Sequence, residues 1–313
     1  LLEEAVERVA ELVGRENVYI ATATHLQEPI AQAGIVPSNN VIAEPDKRNT
    51  LGCLTWVAAT FGANTSDVSM AILTADHLIL EPDDFRSTLK RAFEHAEETG
   101  DLVTLGIAPT RPETGYGYIE AGDTIAGTEL RKVNCFKEKP ELEIAQQYVA
   151  SGRHFWNSGM FIWKLNSFLR ELAHSVPVAY DLTQQMANEP DMDLRGELFR
   201  RLPNLSVDYA VMEKAHQVAM IQATFPWDDV GAFDSLFRTM PKDENGNVII
   251  GRVEAVDCEN CILYNDSADS VLGAIGQRHQ IVIQTPDATI VVPVSQAQSV
   301  KQIVGRLSDS KFV

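Results

Sequence analysis

Strand-like apolar runs alternate with amphipathic helical segments through the first part of this 313-residue chain, and this alternation limits the folds open to it. The clearest stretch is the apolar run Val68–Thr74, followed by the helical segment Asp83–Glu98 and the apolar run Leu102–Ile107. Strands separated by helices build βαβ units, whose strands are mostly parallel. The pattern therefore predicts an α/β fold with a doubly wound, mostly parallel sheet.

The alternation opens with an amphipathic helix over residues 2–13 and gives way to short β-branched runs after the turn-forming segment Asp243–Asn247. These runs, separated by polar turns, indicate a small module of stacked strands that ends in a helix over residues 296–307. We predict two domains, a larger one at 1–242 and the β module with its helix at 243–313.

The net charge of −18 restricts the partners that this chain can have. A strongly negative surface repels nucleic acids and anionic membranes, and no apolar run approaches the roughly 18 residues of a membrane helix. Four cysteines are too few for a disulfide scaffold, and Cys258 and Cys261 have the spacing of half a zinc site without a second pair. We expect structural thiols, a cytoplasmic location, and no nucleic-acid or membrane partner.

Two carboxylates follow predicted strands, Asp76 after Val68–Thr74 and Asp229 after a strand at Val218–Thr224. In doubly wound sheets ligands bind beyond the carboxyl ends of the strands. Magnesium is usually held by one or two carboxylates together with substrate phosphates. The two residues are therefore candidate metal ligands, and the alternative is that each caps a neighbouring loop or helix.

Three further segments place ligand-binding groups beside predicted strands. Gly117 could let the backbone approach a ligand, Glu138 and Lys139 offer a carboxylate and a cation, and Asn157 offers an amide. The alternatives are a plain turn at Gly117 and at Asn157, and a weak surface ion pair between Glu138 and Lys139.

The segment before the apolar helix at Leu51–Phe61 carries Glu44, Arg48, Asn49 and Thr50. Asn and Thr are natural N-caps, and backbone amides at a helix start can also meet a phosphate or a base. Simple capping and ligand binding both remain open. The aromatic residues Trp156, Phe161 and Trp163 are expected in the core.

The order of these segments resembles that of the bacterial mannose-1-phosphate guanylyltransferases, within the sugar-1-phosphate nucleotidyltransferase superfamily. The matching blocks are E-P-x-x-R-N-T, A-D-H, T-G-Y-G-Y-I, E-K-P, W-N-S-G-M-F, S-V-D-Y-A-V-M-E-K and D-V-G. They extend from about Leu2 to Leu307, and Thr74 stands where the family usually has proline. The resemblance implies a Rossmann-like, GT-A-like domain followed by a short left-handed β-helix-like module.

The resemblance also implies a reaction, in which GTP and mannose 1-phosphate give GDP-mannose and pyrophosphate with Mg²⁺. Asp76 and Asp229 would hold the metal, and Asp76 would also meet the nucleotide. Glu138 and Asn157 would bind the mannose hydroxyls, Gly117 would present its backbone, and Lys139 would meet the sugar phosphate. The catalytic set would be Asp76, Lys139 and Asp229. The nucleotide side would be lined by Glu44, Arg48, Asn49 and Thr50.

One family block has no match here, the glycine-rich phosphate loop G-G-x-G-x-R that precedes the first helix in the family. We expect this sequence to be part of a longer enzyme. The alternatives are a sister enzyme with another sugar or base, and a non-catalytic nucleotide-sugar binding protein without the loop. We further expect no isomerase activity, and, by analogy with the family, a homodimer formed through the β module and last helix.

Overall fold

The computed structural model describes residues 1–62, 68–304 and 306. The chain divides into two compact units, the first comprising Leu1–Ala75 and Ile79–Trp227 and the second comprising Asp76–Leu78 and the chain from Asp228 onward. The short segment around Asp76 is thus grouped with the C-terminal region. The division predicted at residues 242 and 243 stays a prediction.

Helices of the described residues occur mainly in the first unit. In chain order they are α1 (Leu2–Val13), α2 (Thr24–Ala33), α3 (Asn49–Phe61), α4 (Pro82–Thr99), α5 (Leu142–Ser151), α6 (Leu165–Ser175), α7 (Pro177–Asn188), α8 (Met192–Arg200), α9 (Leu236–Thr239) and α10 (Val300–Val304). None of them is both long enough and apolar enough to cross a bilayer, as far as the chain is described.

Strands occur throughout the chain. Up to residue 228 they are β1 (Ile20–Ala23), β2 (Val41–Glu44), β3 (Ser69–Ile72), β4 (Leu78–Ile79), β5 (Leu102–Ile107), β6 (Tyr118–Thr124), β7 (Arg131–Lys137), β8 (His154–Lys164), β9 (Val218–Gln222) and β10 (Trp227–Asp228). Those that follow are β11 (Val248–Gly251), β12 (Val253–Val256), β13 (Ile262–Asn265), β14 (Leu272–Ile275), β15 (Gln280–Gln284) and β16 (Thr289–Pro293).

A six-stranded sheet with the order β3-β8-β5-β9-β7-β6 forms the centre of the first unit. The predicted α/β class is confirmed, but mostly parallel pairing was expected and, in the part of the chain that the structure describes, β5–β9 is the one parallel pair of this sheet. β5 and β9 are parallel, as are β1 and β2 in a separate pair, whereas β8 is antiparallel to β3 and β5. β6 and β7 are antiparallel because they form a hairpin, and a tight connection can join only antiparallel strands.

Helices cover both faces of this sheet. Alternate residues of β5 and β8 enter different clusters: Leu102 and Phe161 pack with α3, α6 and α7, whereas Val103 and Ile162 pack with α4. Because successive side chains of a strand point to opposite faces, this division follows from the strand geometry. The aromatic residues Phe161 and Trp163, stacked with centroids 5.6 Å apart, lie in the core as predicted.

Parallel β11, β13 and β15 form one sheet of the second unit, which antiparallel β16 completes, and β12 pairs with β14. This arrangement confirms the predicted β-helix-like module. Cys258 and Cys261 are buried free thiols in its core. Gly251 has φ of 80°, and a Cβ there would lie 1.9 Å from the Asn265 carbonyl oxygen, so this corner requires glycine.

Some elements differ from their predicted form. α2, which contains Pro29, was not predicted, and residues Asp208–Met212 form a π-helical turn. The Tyr209 N–H donates to Ser206 Oγ at 3.3 Å at the start of this turn. The final helix, predicted over residues 296–307, is a 3₁₀ segment at Val294–Ser299 followed by α10, and its last predicted residue lies outside the described part.

Candidate active site

The predicted nucleotide-side residues line one cavity of about 780 Å³. We call it the α3 pocket; its walls are residues 23–25, 44–50, Cys53 and Asn204. β1 and β2 end here in parallel, and α3 begins here, so two strand ends and one helix start meet. Glu44, Arg48, Asn49 and Thr50 are therefore brought together as the sequence predicted.

The guanidinium group of Arg48 is engaged in hydrogen bonds and an ion pair within the protein. Its guanidinium donates to the Arg200 carbonyl from Nε at 3.1 Å and from Nη2 at 2.8 Å, and Nη1 lies 2.9 Å from Asp46 Oδ2. Arg200 ends α8, where backbone carbonyls lack partners within the helix. Arg48 therefore caps α8 and also forms a wall of the α3 pocket.

Thr50 and Asn49 hold the start of α3 in place. Thr50 Oγ1 accepts a hydrogen bond from the Val207 N–H at 2.8 Å, and the Thr50 N–H donates to Asn49 Oδ1 at 2.8 Å. Asn49 has φ of 57°, a left-handed conformation that Asn tolerates better than most residues. The Thr50 side chain thus connects the pocket to the segment just before Asp208.

Glu44 is the half-buried carboxyl group of the α3 pocket. Burial raises its pKa above the ordinary range, and the hydrogen bond with the Cys53 thiol partly offsets this rise. Burial, followed by the charge of Glu44, raises the pKa of Cys53 strongly, so the thiol stays protonated. A half-buried carboxyl group facing a cavity is suited to accept hydrogen bonds from ring N–H groups of a ligand.

A second group of predicted residues meets where β6, β7 and β8 lie together; we call Gly117, Glu138, Lys139, Asn157 and Asp208 the β8 cluster. The Asn157 N–H donates to the Gly117 carbonyl at 2.8 Å. A Cβ on Gly117 would lie 3.4 Å from Glu138 Oε2 and 3.6 Å from Asn157 Cβ. The absence of a side chain at Gly117 therefore keeps space beside both groups.

Asn157 borders a bulge within the continuous strand β8. The register between β5 and β8 shifts between Thr104 and Gly106, and Gly159 has φ of 68°. Bulges redirect side chains and are common beside functional sites. The bulge places Asn157 Oδ1 near the Gly159 N–H, at 3.2 Å, while its amide nitrogen points to Asp208.

Lys139 and Glu138 are exposed side chains that form an ion pair, with Nζ 3.2 Å from Oε1. Both side chains are 61% exposed, so the pair itself contributes little stability. Lys139 has φ of 26°, which is unusual for a residue with a side chain. An energetically costly backbone at an exposed cation indicates a binding role more than a stabilising one.

Asp208 was not assigned a role from the sequence, although it stands in the quoted S-V-D-Y-A-V-M-E-K block. Its Oδ1 accepts a hydrogen bond from the Asn157 amide nitrogen at 2.7 Å. Because an ionised carboxylate only accepts hydrogen bonds, this contact fixes which end of the amide points toward Gly159. The signal in the sequence was an acid opening a helical segment, which equally suggested a helix cap.

The charges around Asp208 are crowded. Burial raises its pKa, the Asn157 hydrogen bond opposes the rise, and the nearby Glu138 carboxylate adds to it. The pKa of Glu213 is also raised, by burial first and then by Glu138 and Asp208. Three acids lie close to one exposed lysine, so a bound cation would relieve their like-charge repulsion, and the hydroxyls of a polyol could donate hydrogen bonds to the carboxylates.

The predicted metal ligands Asp76 and Asp229 belong to the same compact unit. Asp76 is exposed and Asp229 is partly buried, with Oδ1 3.3 Å from the Gly231 N–H. The neighbouring Asp228 is buried and paired with Arg238, Oδ2 lying 2.5 Å from Nε. Asp228 is thereby neutralised, which leaves Asp229 as the better candidate ligand of the two.

The carboxylates fit Mg²⁺ as a donor set, since it prefers oxygen ligands and takes only one or two from the protein. Val230, between Asp229 and Gly231, has φ of 48°, which is a rare conformation for a β-branched residue. This costly turn orients the Asp229 region. In the described residues, no three His, Cys, Asp or Glu side chains converge as a complete metal site, so substrate oxygens would have to complete the coordination.

Comparison with known proteins decides the family. A sequence profile described as nucleotidyl transferase matches residues 1–246, and a profile described as MannoseP isomerase/GMP-like beta-helix domain matches residues 251–307. The chain belongs to the nucleotidyl transferase family. Both matches agree with the α/β first unit and the β module described above.

Curated relatives of this family member are similar over nearly its whole length. A mannose-1-phosphate guanylyltransferase of Klebsiella pneumoniae is 35% identical, covering 99% of this chain and 67% of the relative, and one of Escherichia coli is 34% identical with the same coverage. The chain spans about two thirds of the length of such relatives. A crystal structure from Thermus thermophilus, named mannose-1-phosphate geranyltransferase, is 31% identical with a TM-score of 0.88, covering 98% of this chain and 89% of that one.

Proposed function

We propose that the protein transfers GMP from GTP to mannose 1-phosphate, giving GDP-mannose and pyrophosphate. The observation that carries the proposal is the β8 cluster, in which a side-chain-free backbone, an exposed carboxylate, an exposed cation and an oriented amide lie together. The names of the curated relatives, mannose-1-phosphate guanylyltransferase, support the choice of sugar and base.

The β8 cluster would bind the sugar phosphate. Glu138 would accept hydrogen bonds from the mannose hydroxyls over Gly117, and the Asn157 amide would exchange hydrogen bonds with them. Lys139 would pair with the phosphate. A phosphate oxygen of the sugar then attacks the α-phosphorus of GTP in line. The new P–O bond forms as the bond to the bridging oxygen of the β-phosphate breaks, and pyrophosphate leaves. The protein contributes orientation and charge neutralisation, with orientation alone worth roughly 7–11 kcal/mol in favourable cases.

The α3 pocket would bind the guanine side of GTP. Glu44 would accept hydrogen bonds from the ring N–H and amino group of guanine. The start of α3 borders this pocket, and the positive end of a helix dipole favours an electron-rich edge of a ligand. Arg48 and Thr50 would keep this wall rigid through Arg200 and Val207.

Mg²⁺ would be held by Asp76 and Asp229. When bound, the ion would neutralise charge on the nucleotide phosphates. Asp76 would then contribute both to nucleotide binding and to catalysis. The residues that we propose as catalytic are Asp76, Lys139 and Asp229.

A substrate panel with the full-length gene product tests the chemistry. GTP with mannose 1-phosphate should give the highest kcat/KM among all pairs of four nucleotides and several sugar 1-phosphates. Preferred use of dTTP with glucose 1-phosphate would instead support the sister-enzyme alternative. Tight GDP-mannose binding without turnover of any pair would support the non-catalytic alternative.

The same proposal includes a division between the domains at residues 242 and 243.

We also propose that the protein forms a homodimer. Val256 and Ile275 are register partners in the β12–β14 ladder, and they are 53% and 72% exposed. An exposed apolar pair of this kind can be buried against the same pair of a second copy of the chain, related by a two-fold axis. Light scattering should show a dimer for the wild type and a monomer for Ile275→Asp, and a monomeric wild type would refute the proposal.

A reducing compartment such as the cytoplasm suits the thiols of this chain. All four cysteines are free, and two of them are buried in the β module. Thiols persist where glutathione and thioredoxin keep them reduced. Both proposed substrates, GTP and mannose 1-phosphate, are small molecules.

A further inference from the structure

Two histidines meet on the surface of the first unit, in a place that the proposed reaction does not use. His174 lies in the last turn of α6, and His216 lies between the π-helical turn and β9. Their ring centroids are 4.1 Å apart with a tilt of 53° between the rings. Both side chains are exposed, so solvent ions reach them.

A buried carboxylate lies behind this pair. Glu171 is one helical turn before His174, and its side chain is only 6% exposed. Its Oε2 accepts the His216 backbone N–H at 3.1 Å and lies 3.2 Å from His216 Nδ1. A buried carboxylate is costly unless it is hydrogen-bonded, and His216 supplies two of these bonds.

The contact with Glu171 determines which nitrogen of His216 carries the hydrogen. Because an ionised carboxylate can only accept, Nδ1 must be the donor, whether the ring is neutral or charged. In the neutral ring Nε2 is then unprotonated and carries a lone pair, and the His216 side chain is 61% exposed. Histidines that bind metals are commonly held in this way, with the other ring nitrogen donating to a carboxylate.

We propose that His174 and His216 bind a borderline divalent transition ion, with Zn²⁺ as the representative, and that Glu171 orients His216 for this purpose. Imidazole nitrogen is a preferred ligand of Zn²⁺, Cu²⁺ and Ni²⁺, at about 2.0–2.1 Å for zinc. Two protein nitrogens leave the remaining positions of the ion to water.

The net charge of −18 attracts cations to the protein as a whole, and Arg170, with Nε 3.7 Å from Glu171 Oε1, is a positive charge beside the site. An ion shared by His174 and His216 would connect α6 to the segment that follows Asp208. Because the ion would bind the folded chain, it would raise the melting temperature. The expected ion differs from Mg²⁺, which prefers oxygen ligands and would not compete well for two imidazoles.

Zinc titration of the full-length, untagged protein tests the site, by calorimetry and by melting temperature, with Mg²⁺ held in excess. The wild type should bind one Zn²⁺ that His174→Ala and His216→Ala weaken at least tenfold. Glu171→Gln, which keeps an acceptor oxygen but removes the charge, should weaken it by about 10–100-fold. His279→Asn, at an exposed histidine of the β module with left-handed backbone, is the matched control and should bind like the wild type.

Nitrogen-15 spectra of the imidazoles separate metal binding from a purely structural role. The His216 ring should carry its hydrogen on Nδ1 before zinc is added, and the Nε2 resonances of His174 and His216 should shift on addition. Unchanged zinc affinity in both histidine variants, with their folding intact, would overturn the proposal. Either result stands whether or not the protein forms GDP-mannose, because neither readout depends on turnover.

Discussion

The α3 pocket and the β8 cluster both collect residues that the sequence predicted as ligand-binding, yet they use them differently. In the α3 pocket, Arg48 and Thr50 are engaged with Arg200 and Val207, so these side chains mainly hold the wall together. In the β8 cluster, Glu138 and Lys139 are 61% exposed and touch chiefly each other. Motif residues can therefore be held by contacts within the protein, as Arg48 and Thr50 are, or remain exposed at its surface, as Glu138 and Lys139 do.

The largest expected effect comes from the exposed cation of the β8 cluster. Lys139→Ala should lower kcat/KM for mannose 1-phosphate by about 100-fold, because a charge-assisted hydrogen bond contributes about 1.5–3 kcal/mol. The melting temperature should hardly change, since the side chain is exposed. Steady-state kinetics and thermal unfolding give the two readouts.

Lys137→Ala is the matched control for Lys139→Ala, since it removes an exposed lysine from the end of β7. It should leave kcat/KM within a few-fold of the wild type. Equal losses in the two variants would mean that general charge, and not the position of Lys139, supports phosphate binding.

Arg48→Ala should lower the stability of the protein more than its activity, the opposite of what is expected for Lys139→Ala. Loss of the hydrogen bonds to the Arg200 carbonyl should lower the free energy of unfolding by about 2 kcal/mol. Activity per folded molecule should fall much less than in Lys139→Ala. Denaturant unfolding and kinetics on the same preparation make the comparison.

Arg48→Lys is a useful companion, because the single ammonium group of lysine cannot place Nε and Nη2 donors together on the Arg200 carbonyl oxygen. It should recover only part of the lost stability. A variant at Arg48 that keeps full stability but loses GTP binding would contradict the capping role.

Glu44→Gln should change the choice of base. Replacing an acceptor carboxyl group by an amide should reduce the ratio of kcat/KM for GTP to that for ATP by about tenfold, the effect of roughly 1.4 kcal/mol. Kinetics with the two nucleotides measure this ratio. An unchanged ratio would mean that the backbone of the α3 pocket, and not Glu44, selects guanine.

The smallest effect concerns Asp208 and depends on pH. Its pKa is raised in the folded protein, chiefly by burial. Its contribution to stability is therefore fully present below the ordinary Asp value of about 3.9 and is lost as pH rises through the folded pKa. The stability of Asp208→Asn relative to the wild type should increase from acidic pH toward pH 7.

Unfolding by denaturant at several pH values between about 3.5 and 7 measures this trend. Asp208→Asn should also change KM for mannose 1-phosphate more than kcat, because Asp208 acts through Asn157. A relative stability that falls as pH rises would contradict the burial of an unfavourable charge.

Much of the fold could be predicted because local patterns determine it. The apolar periodicity of α1 and α4 and the continuous apolar run of β5 identify these elements without reference to distant residues. α2 was missed for two reasons. Pro29 within it lowers the helix propensity of the segment, and its lack of buried residues leaves no apolar face with helical spacing. The mixed sheet was missed because strand direction depends on pairing between distant segments.

In the candidate site too, local motifs could be predicted from the sequence, whereas contacts between distant segments could not. Gly117, Glu138 and Asn157 were found because they stand in short motifs beside strands. The partner of Asn157 is Asp208, and the partner of Arg48 is the Arg200 carbonyl; both are contacts between distant parts of the sequence. The left-handed backbone at Lys139 is also invisible in the sequence, because only the surrounding structure can hold a residue in a costly conformation.

A crystal structure of the full-length protein with mannose 1-phosphate would show whether this ligand binds over the β8 cluster. We expect mannose hydroxyls within hydrogen-bonding distance of Glu138 and Asn157, the phosphate beside Lys139, and the bond from Asn157 to Asp208 retained. A sugar phosphate bound elsewhere, with Glu138 and Asn157 untouched, would contradict this expectation.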